Sequence, residues 1–330
     1  MAEALRERGV EVTFAGSPER AEARLVPEAG YQLDTFRVAG LPRRPSVDLV
    51  RAVAADVGAP LACARILARR RPHVVLGGGG YVSGPMVLAA AARRIPAALM
   101  EADAHLGLAN RLAAPLARRV FLAFPLLGRE AGRYRVVGRP IPASSRPLPR
   151  AEARRQLELP ADGPVLLVFG GSLGARILNQ TAVDAFGREG PAVLHLCGER
   201  DYPELRDRVS RPDYRLLPFL DDFGAALGAS DLALARAGGS VWELAAARVP
   251  AVLVPGLFAT GGHQEKNARF FERAGGAVVV PEAEIASAPR VVTELLAAPE
   301  RLATMSRAIG QVACPRAAEE IAEELVALAV

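Results

Sequence analysis

The stretch VLLVFGGSLGARILN, residues 165–179, decides the fold. Val165–Phe169 is an unbroken apolar run of strand length, the pattern of a strand buried on both faces. Gly170-Gly171-Ser172 turns the chain, and a helix follows through Asn179. A buried strand that feeds a helix through a glycine-rich turn is the repeating unit of a doubly wound α/β sheet. The turn matches neither a Walker loop nor the GxGxxG dinucleotide fingerprint. Its amides and the Ser172 hydroxyl suit a diphosphate at a helix start, and an ordinary strand-to-helix turn is the competing reading.

The alternation extends outward from there. Downstream, strands are expected at Val193–Cys197, Arg215–Leu217, Leu232–Ala235, Ala251–Val254 and Ala277–Val280. Helices are expected at Val241–Ala247 and Gln264–Ala274, and helices fill the tail. Upstream, strands are expected at Val10–Ala15, Val74–Leu76, Ala97–Met100, Val120–Ala123 and Val136–Val137, with helices at Ala52–Arg71 and Gly84–Arg94. Between the two sets lies RPIPASSRPLP, Arg139–Pro149, whose proline content marks a linker. The expected architecture is α/β, with two Rossmann-like doubly wound domains (residues 1–140 and 141–330) flanking an interdomain cleft. The last helix is free to pack back on the first domain. The chain opens on a helix that should follow a strand, so the first strand and its loop are expected upstream of Met1.

Composition narrows the chemistry. A 51% apolar chain of 330 residues holds enough material for two cores. The net charge of +5 suits a phosphate-bearing partner or an anionic membrane surface. Basic and aromatic residues do not interleave, so nucleic acid is not expected. Cys63, Cys197 and Cys314 are too far apart for a metal spacing and odd in number, which fits reduced thiols. No apolar run approaches the roughly 20 residues of a membrane-spanning helix, so membrane contact would be peripheral.

Three further segments carry candidate chemistry. GGGGYVSGP, Gly77–Pro85, places glycines between a strand and a helix, where backbone can approach a ligand or simply turn tightly. RAGGSVWE, Arg236–Glu243, ends a strand and starts a helix. Glu243, one turn in, can accept from both hydroxyls of a ribose or can serve the helix dipole. In HQEKN, His263, Gln264 and Asn267 suit sugar hydroxyls or a helix cap. His105, near Glu101 and Asp103, is the histidine placed to assist a deprotonation. His195 reads as a core histidine and His73 as a surface one. Arg69–Arg71 reads as a solvated helix end, or as a contact for anionic lipid head groups.

GGGGYVSGP, GLANR (107–111), FGGSLGARILN, FLDDF (219–223) and the RAGGSVWELAA…HQEKNA pair resemble, in order, the motifs of the MurG family of glycosyltransferases, family 28. The resemblance covers nearly the whole chain and is most specific in its second half. It implies a GT-B fold and inverting transfer of N-acetylglucosamine from UDP-GlcNAc to an undecaprenyl-diphosphate-linked muramyl pentapeptide, as in peptidoglycan synthesis. It implies no metal and no cofactor beyond the donor, and a location on the cytoplasmic face of the bacterial plasma membrane. Donor contacts are then expected from Gly171, Ser172 and Arg176 (diphosphate), Phe219 and Leu220 (uracil), and Glu243 (ribose). Arg236, Gly239, Ser240, His263, Gln264 and Asn267 complete that side, with His263 and Gln264 on the donor sugar. Gly79, Tyr81, Ser83, Asp103, Asn110 and Arg139 are expected on the acceptor side, with Glu101 and His105 as catalytic candidates.

The sequence also departs from the family. The family's opening Gly-Gly-Thr-Gly-Gly-His loop, which carries its favoured base, would lie upstream of Met1. Met100-Glu101-Ala102-Asp103 stands where His-Glu-Gln-Asn is usual. Gly138-Arg139-Pro140-Ile141-Pro142 replaces Gly-Asn-Pro-Val-Arg, with Arg139 able to serve for the missing arginine. Two other readings follow from these departures: a non-catalytic UDP-sugar binder, and a glycolipid transferase with another lipid acceptor.

Overall fold

The computed structural model describes residues 1–38, 58–129, 131–171, 175–257 and 262–330. These residues form two compact units, Met1–Pro140 with Arg316–Val330, and Ile141–Pro315. The Pro-rich stretch expected to be a linker is therefore divided: from Ile141 onward it is part of the second unit.

In the first unit β1 (Thr13–Gly16) pairs in parallel with β2 (Gln32–Thr35). A second parallel sheet holds β3 (Val75–Gly77), β4 (Ala97–Glu101), β5 (Arg119–Leu122) and β6 (Tyr134–Val136) in that order. β4 is buried at every position, which is why its sequence shows no alternation. The Gly80–Ala92 helix starts four residues before the expected Gly84. Gly79 and Gly80, at φ +93° and +71°, make the turn that lets it begin there. Arg69 and Arg70 both reach the buried Asp34 carboxylate, at 2.5 and 2.7 Å. The last helix, Ala317–Ala329, lies against Ala2–Arg6, with ion pairs Arg8–Glu323 and Arg119–Glu324 each at 3.0 Å.

In the second unit β7 (Val165–Phe169), β8 (Ala192–Leu196), β9 (Tyr214–Leu217), β10 (Leu232–Ala235), β11 (Ala251–Leu253) and β12 (Ala277–Val279) form one parallel sheet. The order is β12-β11-β10-β7-β8-β9, the doubly wound arrangement whose direction reverses between β7 and β10. Leu166, Val168, Leu178, Val193, Leu234 and Val252 are among the residues of its core.

The helix Arg150–Gln156 was not legible in the sequence. It delivers Arg154, only 1% exposed, into the unit. The guanidinium donates to the carbonyls of Ala229, Pro160, Ala161 and Gly163 and to Asp231 Oδ2 at 2.9 Å. Asp231 Oδ2 also accepts from Val165 N at 2.8 Å. Removing one partner of such a buried pair strands the other charge, at a cost of about 3–5 kcal/mol. Asp231→Ala is thus expected to lower the stability of the second unit by about 3 kcal/mol. Urea unfolding measures this, and a change under about 1 kcal/mol would contradict the account.

Candidate functional site

In an open parallel sheet the loops at the carboxyl ends of the strands diverge where strand order reverses, leaving room for a ligand. Here the two loops at that point are the one after β7, Gly170–Gly171, and the one after β10, Arg236–Ser240. Ser172 lies outside the described residues. Gly171, at φ +90°, is exposed beside it. Arg176 opens the helix Arg176–Phe186 with an exposed side chain.

After β10, Gly239 and Ser240 lead into the helix Val241–Ala246, whose first turn carries Glu243. The Glu243 Oε1 atom accepts the hydroxyl of Ser145 at 2.5 Å. Arg236, at the β10 tip, donates to the Val254 carbonyl at 3.1 Å and forms an ion pair with Glu282. Its guanidinium lies under Gly256, where an added Cβ would sit 3.8 Å from Arg236 Cζ and 3.3 Å from Gln264 Oε1. Gln264 Oε1 in turn accepts from Gly256 N at 2.8 Å. Arg236, Gly256 and Gln264 therefore form one cluster at the tips of β10 and β11. His263 starts the helix His263–Arg273 and is half-buried. Phe219 is 57% exposed past the end of β9, with Leu220 half-buried.

Asn267 differs from its expected position on the donor sugar. It is 0% exposed, and its amide donates to the Ala237 carbonyl at 3.2 Å. It tethers the turn after β10 to the His263–Arg273 helix.

A buried polar chain stands behind the β7 loop. The Asn179 side chain donates to the Cys197 carbonyl (2.7 Å) and to Asp201 Oδ2 (2.9 Å), so its Oδ1 can only accept. His195 Nε2, 3.1 Å from that Oδ1, must carry the ring proton, and Nδ1 accepts from the Tyr214 hydroxyl at 2.8 Å. Every donor points the same way, from Tyr214 through His195 and Asn179 to Asp201. Asp201 then takes Arg200 Nε at 2.8 Å and Arg176 Nε at 3.3 Å. The hydrogen bond from Arg200 leads the causes that hold the Asp201 carboxyl below its ordinary range, with those from Asn179 and Arg176 adding to it. Burial pushes the Cys197 thiol up to about 11, so it stays protonated. His195 behaves as the core histidine that its apolar strand suggested. Asn179 and Asp201 were missed, and their signal is a polar side chain on the buried face of a helix or turn.

In the first unit Glu101, at the tip of β4, is buried and fully engaged. Its Oε2 accepts from Gly107 N (2.9 Å) and Asn110 Nδ2 (3.0 Å), and its Oε1 from Asp103 N (3.3 Å). This carboxylate holds the 102–110 loop, which carries Asp103 and His105, and it is not a free base. Asn110 also donates to the Met100 carbonyl, and its buried Oδ1 has no donor among the described residues. Gly79 sits against the same group, 3.7 Å (from an added Cβ) from Asn110 Nδ2. Ser83 accepts from Gly79 N at 2.7 Å and so closes the glycine turn. Tyr81 is half-buried, with the Arg20 guanidinium 5.9 Å over its ring. Arg139, half-buried, follows β6.

Comparison with known proteins gives a consistent result. The model of the glycosyltransferase family 28 C-terminal domain matches residues 165–321, and that of the N-terminal domain residues 1–122. A protein of Acidithiobacillus ferrooxidans is 46% identical over 286 residues, covering 84% of this chain and 78% of the relative. One of Rubrobacter xylanophilus is 39% identical over 334 residues, covering 99% and 98%. Each is named UDP-N-acetylglucosamine–N-acetylmuramyl-(pentapeptide) pyrophosphoryl-undecaprenol N-acetylglucosamine transferase. The crystal structure of Acinetobacter baumannii MurG superposes with a TM-score of 0.77 at 26% identity, covering 99% of this chain and 94% of that one. The calicheamicin glycosyltransferase CalG4 shares the fold at 20% identity, with a TM-score of 0.69 and the same coverages of 99% and 94%.

The buried His195 makes the network pH-sensitive in a defined sense. Burial lowers its folded pKa to about 3, from 6.5. Below pH 6.5 the unfolded chain binds a proton that the folded chain refuses, so stability falls as pH drops from 6.5 towards 3. The slope from one such group is about 1.4 kcal/mol per pH unit. Asp201, held low, adds a loss of the same sign, but only below its ordinary pKa of 3.8. Urea unfolding between pH 4.5 and 6.5 is expected to be steeper in the wild type than in His195→Gln by about that slope. Parallel profiles would rule the assignment out.

Proposed function

The chain belongs to glycosyltransferase family 28, and we propose that it transfers N-acetylglucosamine from UDP-GlcNAc, with inversion, to undecaprenyl-diphosphate-linked N-acetylmuramoyl-pentapeptide. The observation that carries this reading is the arrangement at the reversal point of the second sheet. A glycine turn, a helix-borne carboxylate and a glutamine cluster stand at the tips of β7, β10 and β11. Relatives with this chemistry in their names match nearly the full chain.

In this reading the second unit holds the donor. The turn at Gly171 and Ser172, with Arg176, takes the diphosphate. The amides at a helix start and a nearby guanidinium stabilise the charge that develops as UDP leaves. Phe219 and Leu220 flank the uracil, and Glu243 accepts from the ribose hydroxyls. Gln264, His263 and Arg236 surround the sugar. Gly239 and Ser240 let the turn approach the nucleotide, and Asn267 supports that turn.

The first unit takes the acceptor. The acceptor's hydroxyl oxygen attacks the anomeric carbon from the face opposite UDP. The bond from that carbon to the diphosphate oxygen breaks, and its electron pair leaves with UDP. The hydroxyl proton goes to a base on the acceptor side, for which His105 is this chain's candidate. Glu101 acts by holding the loop that carries His105 and Asp103. Asn110 stands behind the acceptor surface, tied to Glu101 and the Met100 carbonyl, and Gly79, Tyr81, Ser83 and Arg139 border that surface.

A lipid-borne acceptor calls for a membrane surface. Among the described residues no helix is long and apolar enough to cross a bilayer. On the Leu108–Ala113 helix and the turn Ala114–Leu116, Leu108, Leu112 and Leu116 recur every four residues and are 44–64% exposed. Arg111 and Arg118 are exposed beside them. An apolar stripe with basic flanks suits peripheral contact with anionic lipid on the cytoplasmic face of the plasma membrane.

Two outcomes test the reading. Hydrogen bonds to a charged group contribute about 1.5–3 kcal/mol each, so Glu243→Ala should raise the KM for UDP-GlcNAc roughly 10- to 100-fold. Unchanged donor kinetics would remove the ribose assignment. The double change Leu112→Glu, Leu116→Glu should cut binding to phosphatidylglycerol vesicles more than about tenfold while leaving UDP affinity intact. Undiminished vesicle binding would remove this stripe from the membrane contact.

A further inference from the structure

Between the Pro-rich stretch and the donor site runs a line of close contacts that the proposed chemistry does not use. It starts on the helix Phe223–Ala229. Gly224 and Gly228 stand one turn apart and offer bare backbone to the segment 143–148. An added Cβ at Gly224 would lie 2.2 Å from the Arg146 carbonyl oxygen and 3.0 Å from that of Ser144. At Gly228 it would lie 2.2 Å from the Leu148 carbonyl oxygen. No side chain fits there, so the segment is laid directly on the helix. The bond from Leu148 N to the Gly224 carbonyl at 3.2 Å fixes its position along the helix.

Ser145 sits in this segment, in the short 3-10 turn Ala143–Ser145, and is 2% exposed. Its hydroxyl donates to Glu243 Oε1 at 2.5 Å. The two residues are 98 positions apart in the chain and belong to the same unit.

We propose that Ser145 is a positioning residue of the donor site: its hydroxyl holds the Glu243 carboxylate in the orientation that receives the nucleotide's ribose. The proposal rests on the reading of Glu243 as the ribose acceptor. A glutamate side chain turns about several bonds, and a ligand that must order it binds more weakly for doing so. A hydroxyl–carboxylate bond is charge-assisted and short, so it can fix the rotamer before the nucleotide arrives. A carboxylate accepts at about four lone-pair sites. Ser145 takes one of them on Oε1, so its bond does not exhaust what the carboxylate can accept. The backbone around Ser145 is laid against the two glycines, which sets where its hydroxyl starts from.

The test compares UDP with 2′-deoxy-UDP by calorimetry on the full chain, for wild type, Ser145→Ala, Ser145→Cys, Ser145→Thr and Glu243→Ala. Thermal melting of each variant reports folding. Cysteine keeps the volume of serine but donates poorly, which covers the case in which alanine disturbs packing. The wild type should prefer UDP, and Glu243→Ala should lose the preference. Ser145→Ala and Ser145→Cys should weaken UDP roughly 5- to 20-fold while changing 2′-deoxy-UDP less than about twofold, and Ser145→Thr should restore the preference. In turnover the same variants should raise donor KM with kcat within about twofold, the pattern of lost ground-state binding. Equal weakening of both nucleotides would reduce Ser145 to a packing role and overturn the proposal. A wild-type preference in Ser145→Cys, with the preference lost in Glu243→Ala, would overturn it while sparing the ribose reading. A preference that survives Glu243→Ala would overturn that reading itself.

Discussion

One carboxylate sets the register on which the second unit depends. Asp231 precedes β10 and takes the first amide of β7, so a single oxygen joins the two strands at which sheet order reverses. The same oxygen is neutralised by Arg154, whose remaining donors are spent on four carbonyls of the surrounding loops. A one-residue slip would move every side chain to the opposite face of the sheet. The pairing of Leu232 with Leu166 and of Ala235 with Phe169 follows from that anchor. The glycine-containing loops after β7 and β10 emerge from the far ends of these strands. Their relative height is therefore set about a strand's length away, by a charge pair that touches no ligand.

Both units use the same device nearer the strand tips: a buried acidic group that organises a loop. Asp201 gathers Asn179, Arg200 and Arg176 beside the β7 loop. Glu101 gathers Asp103, Gly107 and Asn110 at the tip of β4. In each case the carboxylate's lone pairs are satisfied within the protein. Such hubs are costly to bury and specify one arrangement once complete. Asp201 and Glu101 are thus supports for the loops beside them.

The strands were legible because parallel, doubly covered strands leave continuous apolar runs: VLLVF, LALA and AVV stand where β7, β10 and β12 lie. The glycine turns at 77–80, 170–171 and 238–239 were legible for the same local reason. Three things were not. The helix Arg150–Gln156 is so rich in arginine that its buried face shows no apolar stripe; burial there is a matter of Arg154, which no hydropathy pattern registers. Asn267 looked like a ligand group because it neighbours His263 and Gln264, yet helical geometry turns it inward to Ala237. Glu101 and Ser145 owe their roles to partners 6–9 and 98 residues away, information that spacing does not contain. Sequence located the loops well, and it could not separate the residues that line a loop from those that brace it.

The two glycines at 224 and 228 also bear on how such enzymes trade parts. The proline-rich passage looks like the natural seam for swapping one acceptor module for another. Its second half is bedded on a helix of the second unit and is tied, through Ser145, to Glu243. A recombination joint made after Pro149 would lay a foreign segment on that helix and take away the Ser145 partner of Glu243. The seams that keep both units whole lie after Pro140 and again after Pro315, because the last helix belongs to the first unit.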